Sequence, residues 1–513
     1  MDGRADDLGG LATAARDQAG RPAMRHGNHG RGGARRDGGG IRLSTVLPEA
    51  TFIACDDIVV TRCTDVAGCC RPGDTFVARM TPRGDGHDEV ATAIARGASA
   101  VVADRMVVTD GLPLCLVRDS SAAQGRIAQA LAGNPSRELR LITVAGTSGK
   151  TTTAWLAAAV LSEAGHRVGV LTDLGCLGPD DTEPTAADLS SAAVLAGWLA
   201  RLASAGCSHA ILEASSQALA VQALAGVVSD TVVVTNTAAA HLDAHGTAAS
   251  YRRILGRAAA TLGEAGCLVS GAGPGATQRL RRVCPDATVI RAGLDAACGV
   301  RAIAVERSLA GRTFLMSAGG QLVPMTADTP TVGFVRDAAL AAAIGMRYGM
   351  SLELIGRGIE AAGSVPGRVE RIDRGQDAAV FVDSPSSMHA VAATLASLRR
   401  LTAGRLVVVA ERKAAMSLAG RNFAGRLGRW ADDTLVVPAS IASEDARSTD
   451  LAAYARLDRL LSSLQRGDCA VVIGSAGLRG GSGPRGGMLA LVVDGWLQLA
   501  HPAEPPFAGR RAA

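Results

Sequence analysis

One stretch constrains this chain more than any other. The apolar strand Leu141–Val144 runs into Gly146-Thr147-Ser148-Gly149-Lys150-Thr151-Thr152, and a helical pattern, Thr151–Ala164, follows. Glycines let backbone N–H groups turn inward around an anion, and the helix start adds the positive end of its dipole. In a strand–loop–helix context this reads as a phosphate-binding loop. Lys150 is expected to reach the terminal phosphates, and the Thr151 hydroxyl to coordinate Mg²⁺. The strict pattern has a glycine where Val144 stands, so a ligand-free glycine-rich turn is the alternative. Lysine scarcity favours the loop: the chain holds two lysines, Lys150 and Lys413, and one lies here.

The 513 residues exceed one ordinary core, and at about 150 residues per domain they suggest three domains. Aromatic residues make up only 3%, so the core must be built from Ala, Val, Leu and Ile. The eleven cysteines are scattered and odd in number, and the group Cys55, Cys63, Cys69 and Cys70 lacks paired zinc-site spacing. Buried reduced thiols in a cytoplasmic protein are the expectation. No apolar run is long enough to span a bilayer, which argues against membrane insertion. Residues 1–40 read as a disordered Gly/Arg-rich tail. As a nucleic-acid arm this tail is weak, because aspartates dilute its arginines and no aromatics are interleaved for stacking.

Apolar runs at Thr75–Val77 and Ala100–Val102 flank a helical pattern at Glu89–Arg96, giving a small α/β domain over 41–137. Strands at Val168–Leu171, Ala210–Leu212 and Thr231–Val234 follow the phosphate loop in a central domain, 138–366. Val365-Pro366-Gly367-Arg368 reads as a hinge. Beyond it, Ala378–Val382, Leu406–Val409, Thr434–Val437 and Ala470–Ile473 mark a third domain, 367–500, with a loose tail over 501–513. The alternation predicts an α/β protein with mostly parallel sheets wrapped by helices.

The loop also resembles the Gly-Thr-x-Gly-Lys-Thr-Thr of Mur ligases, and further blocks follow in order. Pro72-Gly73-Asp74-Thr75-Phe76-Val77-Ala78, Asp85-Gly86-His87 and Ala93–Ala98 resemble the family's first domain. Thr182-Glu183-Pro184, Glu213-Ala214-Ser215-Ser216-Gln217-Ala218-Leu219, Thr235-Asn236, His241–Thr247 and Tyr251 resemble its centre. Val365–Glu370 resembles the Val-Pro-Gly-Arg-Met-Glu hinge. The detail is similar to the MurE branch. The resemblance implies three domains around a central parallel sheet, with a Rossmann-like third domain. It also implies an ATP-dependent joining of an acid to an amine through an acyl phosphate. Carried over, Thr151 and Glu213 hold one Mg²⁺, His241 ligates a second, and Lys150, Glu213 and His241 are catalytic. Small-molecule acid and amine partners follow, including a UDP-MurNAc-peptide-like precursor.

Departures cluster at working positions. Ala240 replaces an aspartate of the His241 block, and Leu255 stands where the family carbamoylates a lysine. Gln217 replaces a histidine and Ala223 an arginine. Phe334–Ala342 lacks both asparagines of the adenine-side block, with Val335 and Ala338 in their places. Asp383–Ser387, Lys413–Ser417, Ala439–Glu444 and Gly474–Leu478 lack the third domain's signature side chains, leaving Arg421 as a basic contact or a surface arginine. Val66-Ala67-Gly68 occupies the place of a uridine-holding triplet. Two functions therefore compete: a ligase with an altered acid and amine, and a catalytically impaired paralogue that binds nucleotide or a partner.

Overall fold

The structure, a computed structural model, describes residues 40–81, 84–179, 182–183, 188–438, 448–474 and 488–500. Both terminal tails, the signature stretch Ala439–Glu444 and most of Gly474–Leu478 lie outside those residues, as does Pro184.

Three sheets organise the chain. The central one has eleven described strands. Seven run parallel, in the spatial order Val168–Thr172, His209–Glu213, Arg140–Ala145, Ser229–Val234, Leu262–Ser270, Thr288–Gly293 and Val300–Arg307. Antiparallel strands extend both edges: Gly175–Leu177 and Thr182–Glu183 on one side, Arg312–Ala318 and Gln321–Ala327 on the other. The sheet is thus broader and more mixed than the alternation implied. Its far part, beyond Val234, carries five strands that the apolar runs did not mark, because solvated residues such as Glu264, Arg301 and Thr313 interrupt them.

Strand alternation divides the core. Ile142 and Val144 pack with the helices Lys150–Glu163, Val332–Arg347 and Leu352–Ala361, whereas Leu141 and Ala145 pack with Ala192–Ser204 and Ala248–Ala259 on the opposite face. With few aromatics available, close helix approach does the packing. Ala338 to Ala343 are all buried in one helix, and a β-carbon on Gly358 would stand 2.7 Å from the Cα of Val160.

The first sheet has the order Thr51–Ile53, Leu114–Leu116, Ala100–Ala103, Thr75–Val77 and Cys63–Thr64, antiparallel only at its first pair. The expected helix at Glu89–Arg96 begins as a 3-10 turn, Gly86–Glu89, before Val90–Ala95, because Asp85 accepts the His87 N–H at 3.0 Å and caps the tighter turn. The third sheet runs Glu370–Ile372, Ala379–Asp383, Cys469–Ile473, Leu406–Glu411 and Asp433–Val437, parallel except at its first pair. All eleven cysteines are free thiols. Cys69 is exposed and Cys55, Cys63 and Cys298 half-buried, so the buried-thiol expectation holds for the rest.

Candidate functional site

The carboxyl ends of the central parallel strands converge on one crevice, the place where open α/β sheets bind ligands. Ala145 ends one strand and hands the chain to the glycine-rich loop. Gly146 takes φ of +138°, and a β-carbon there would stand 3.1 Å from the backbone N of Asn236. Only glycine allows that approach. The neighbouring segment then pins the loop from outside. Thr235 Oγ1 donates to the Ser148 carbonyl at 2.6 Å, and Asn236 Nδ2 donates to the same carbonyl at 2.9 Å. Thr147 Oγ1 donates to the Ala238 carbonyl at 2.6 Å and accepts from the Tyr251 hydroxyl at 3.0 Å. These bonds turn the Ser148 carbonyl outward and anchor the Thr147 side chain, so the loop is braced from outside the space an anion would occupy.

Glu213 closes the adjacent strand and points into the same corner. Thr151 Oγ1 donates to its Oε2 at 2.8 Å, and Lys150 Nζ lies 3.6 Å from its Oε1. The Asp173 backbone N–H reaches Oε2 at 3.4 Å. Burial, with the Asp173 charge adding to it, pushes the Glu213 carboxyl above its ordinary range, while Lys150 and Arg368 oppose the shift. Lys150, Thr151 and Glu213 are all buried.

His241 sits at the mouth with φ of +51°, just before the short helix Leu242–His245. Burial first, then the Lys150 charge, lowers its pKa and favours neutral imidazole. Its ring centroid lies 6.4 Å from that of Tyr251, and His245 Nε2 lies 3.0 Å from Ser216 Oγ. The structure therefore brings the loop, Glu213 and His241 to one crevice.

One participant is given no site role by the sequence. Arg368, which reads there only as part of a hinge, extends its guanidinium back into the crevice. Its Nη2 donates to Thr151 Oγ1 at 2.9 Å, and its Nη1 donates to the Ser384 carbonyl. One side chain thus bridges the phosphate loop and the third sheet. Beside it, Asp383 is buried, and burial raises its carboxyl. The other lysine, Lys413, is exposed on Arg412–Ala419 and takes no part in this corner.

Comparison with known proteins accords with this geometry. The pattern of the Mur ligase middle domain matches residues 144–344. A UDP-N-acetylmuramyl-tripeptide synthetase of Roseiflexus sp. is 31% identical over 442 residues, covering 80% of this chain and 81% of that relative. The chain belongs to the Mur ligase family. A UDP-N-acetylmuramoyl-L-alanyl-D-glutamate--2,6-diaminopimelate ligase of Corynebacterium glutamicum is 35% identical over 304 residues, a match spanning 58% of each chain. A solved structure described by that same ligase name aligns over 90% of this chain and 99% of its own, with a TM-score of 0.63 at 18% identity. That likeness concerns the fold, the three-part α/β architecture of Mur ligases.

Within that family frame, the departures acquire a location. Leu255 is fully buried and Ala240 nearly so, and both join one apolar cluster with Tyr251 and Ala223. Gln217 is exposed. Among the described residues no group of three or more His, Cys, Asp and Glu side chains is placed to hold a metal. The Thr151–Glu213 pair fits a first Mg²⁺ on different grounds. It offers two hard oxygen donors 2.8 Å apart beside a phosphate loop, and Mg²⁺ completes its shell with water and phosphate. Around His241 the described carboxylates are Asp243 and Asp173, whose charges reach its ring, and no group of three such ligands is assembled there.

Proposed function

We propose that this Mur ligase family member is an ATP-dependent carboxylate–amine ligase of the MurE type, acting on an altered acid and amine. The buried Lys150–Thr151–Glu213 constellation at the loop carries the reading. Phosphates seat on the loop N–H groups, Lys150 neutralises their terminal charge, and Thr151 with Glu213 holds Mg²⁺. Bound there, Mg²⁺ supplies charge screening on the phosphate oxygens. Arg368 adds a second cation at the same threonine hydroxyl. A substrate carboxylate oxygen attacks the γ-phosphorus while the bond to the bridging oxygen of ADP breaks. The amine then attacks the acyl carbon, loses a proton, and expels phosphate as the C–O bond breaks. Preorganised cations in a buried corner stabilise the charge that develops in the first step. The catalytic and metal-ligand roles of Lys150, Thr151, Glu213 and His241 are part of this proposal. So are the domain limits 41–137, 138–366 and 367–500, and a cytoplasmic setting in which no described helix is long and apolar enough to cross a membrane.

The acid resembles a UDP-MurNAc-peptide precursor, in line with the substrates that the relatives' names describe. The amine differs from diaminopimelate, since the third domain's sequence lacks an arginine-bearing loop to grip its distal carboxylate. A second reading, a nucleotide-binding paralogue without ligation, draws support from the apolar packing of Leu255 and Ala240. ADP release with UDP-MurNAc-dipeptide and a panel of amino acids separates the two. Turnover with an amino acid other than diaminopimelate is expected. Nucleotide binding without ADP release across the panel sinks the ligase reading, and efficient diaminopimelate ligation sinks the altered-amine part.

A further inference from the structure

The helix Val332–Arg347 packs along the phosphate-loop helix Lys150–Glu163, and it presents an acid to the loop itself. Asp337 is buried, with 6% of its surface exposed. Its carboxyl lies so close to Gly149 that a β-carbon on that glycine would stand 2.7 Å from Oδ2 and 2.8 Å from Cγ. Gly149, at φ of +82°, is the N-cap of the loop helix. The carboxyl therefore stands against the backbone that an incoming phosphate uses.

The charged and polar groups around it are few. On its own helix Arg336 acts on it, and from the loop helix Thr153 faces it. Lys150 on that helix is engaged by Glu213 at 3.6 Å. From the helix Met388–Arg399, His389 feels the charge of Arg336. Among the described residues none forms an ion pair with Asp337, and the Thr153 hydroxyl is the polar side chain facing it from the loop helix. An ionised carboxylate here would compete with phosphate for the positive end of the helix, inside a dry corner where like charges repel strongly. Burial outweighs the opposing Arg336 charge and the Thr153 hydroxyl and favours the neutral acid, raising its pKa well above the ordinary carboxylate value. A neutral carboxylic acid has the shape of an asparagine amide and can donate a hydrogen bond as an amide does.

We propose that Asp337 is a positioning residue for the nucleotide phosphates. It must carry its proton for the loop to accept them, so that nucleotide affinity falls as pH rises through its ionisation. The inference rests on the nucleotide-binding part of the proposed function and adds to it a protonation requirement set by this chain's own acid. Without nucleotide the same group leaves a second mark. A carboxyl held neutral in the fold but ionised in the unfolded chain costs stability as pH rises above about 4, until the native carboxyl also ionises.

The test measures Mg²⁺-supported binding of a fluorescent ADP analogue to wild type and Asp337→Asn from pH 5.5 to 9, with thermal unfolding of both without nucleotide. In the range where the carboxyl ionises, wild-type Kd should rise about tenfold per pH unit relative to the variant. Subtracting the variant's profile cancels titration of the ligand, Glu213 and His241. The variant should also gain in Tm over wild type as pH rises. Equal pH slopes in the two proteins, or a variant less stable than wild type at pH 8, overturn the proposal while leaving nucleotide binding intact. Absence of binding by both proteins at every pH overturns it together with the nucleotide-binding part of the proposed function.

Discussion

Two corners of one crevice, a few residues apart along the central sheet, have gone separate ways. At the phosphate loop, Lys150, Thr151, Glu213 and Arg368 are held by hydrogen bonds and ion contacts that satisfy one another. Next to it, around Leu255 and Ala240, an aliphatic side chain and a methyl group fill the space against Tyr251. The helix Ala248–Ala259 still delivers Leu255 to the corner, so the backbone frame is intact while the chemistry differs. Fold tolerates such an exchange because burial of Leu255 stabilises the helix against the sheet. A bridging anion there would stabilise only a bound metal.

The sharpest way to break this contrast is at its polar side. Lys150→Ala removes the cation facing Glu213, and nucleotide-dependent thermal stabilisation should vanish. At a hundredfold excess over Kd that stabilisation is about 2.7 kcal/mol, so the loss is readable in Tm. An unchanged nucleotide shift in the variant would show that the loop does not bind as described.

The apolar side is probed by Leu255→Lys, which places an ammonium inside a packed cluster. Destabilisation of roughly 3 kcal/mol is expected in urea unfolding, with no gain in ADP release. A stable variant with raised ADP release, above all in the presence of bicarbonate, would mean that the corner is a vacant metal site after all.

Arg368→Ala tests the bridge between the two sheets. Loss of its bonds to Thr151 and the Ser384 carbonyl should cost about 1–2 kcal/mol. Hydrogen exchange should rise at the loop helix N-terminus and near Ser384 together. Faster exchange at only one of them would mean that the guanidinium does not couple the two.

Much of this site is legible in the amino-acid sequence. Leu141–Val144, Val168–Leu171 and Ala210–Leu212 are apolar runs bounded by glycines or polar residues, as buried parallel strands are, and each lies within an observed strand. The loop's composition places Lys150 and Thr151 together because they are neighbours in a local motif. Glu213 and His241 are reached only through resemblance, since nothing local ties a strand-end acid to a loop 62 residues earlier. Arg368 and Asp337 are given no role at the loop by either route. One lies in a segment that reads as a hinge, and the other lies between the two lost asparagine positions with no role of its own. Their proximity to the loop is set by how a distant turn and helix fold back.

What the sequence determined by itself is therefore local: strand, loop and helix around Gly146–Thr152, and the alternation that makes α/β layers, because periodicity and turn chemistry are properties of neighbouring residues. What only the tertiary structure decided is which distant side chains meet there. Arg368 crosses 217 residues to the Thr151 hydroxyl, and Asp337 is carried by its helix against Gly149. The fate of each charge is settled by burial and partners, which are set by packing across the whole sheet and not by any stretch of chain read alone.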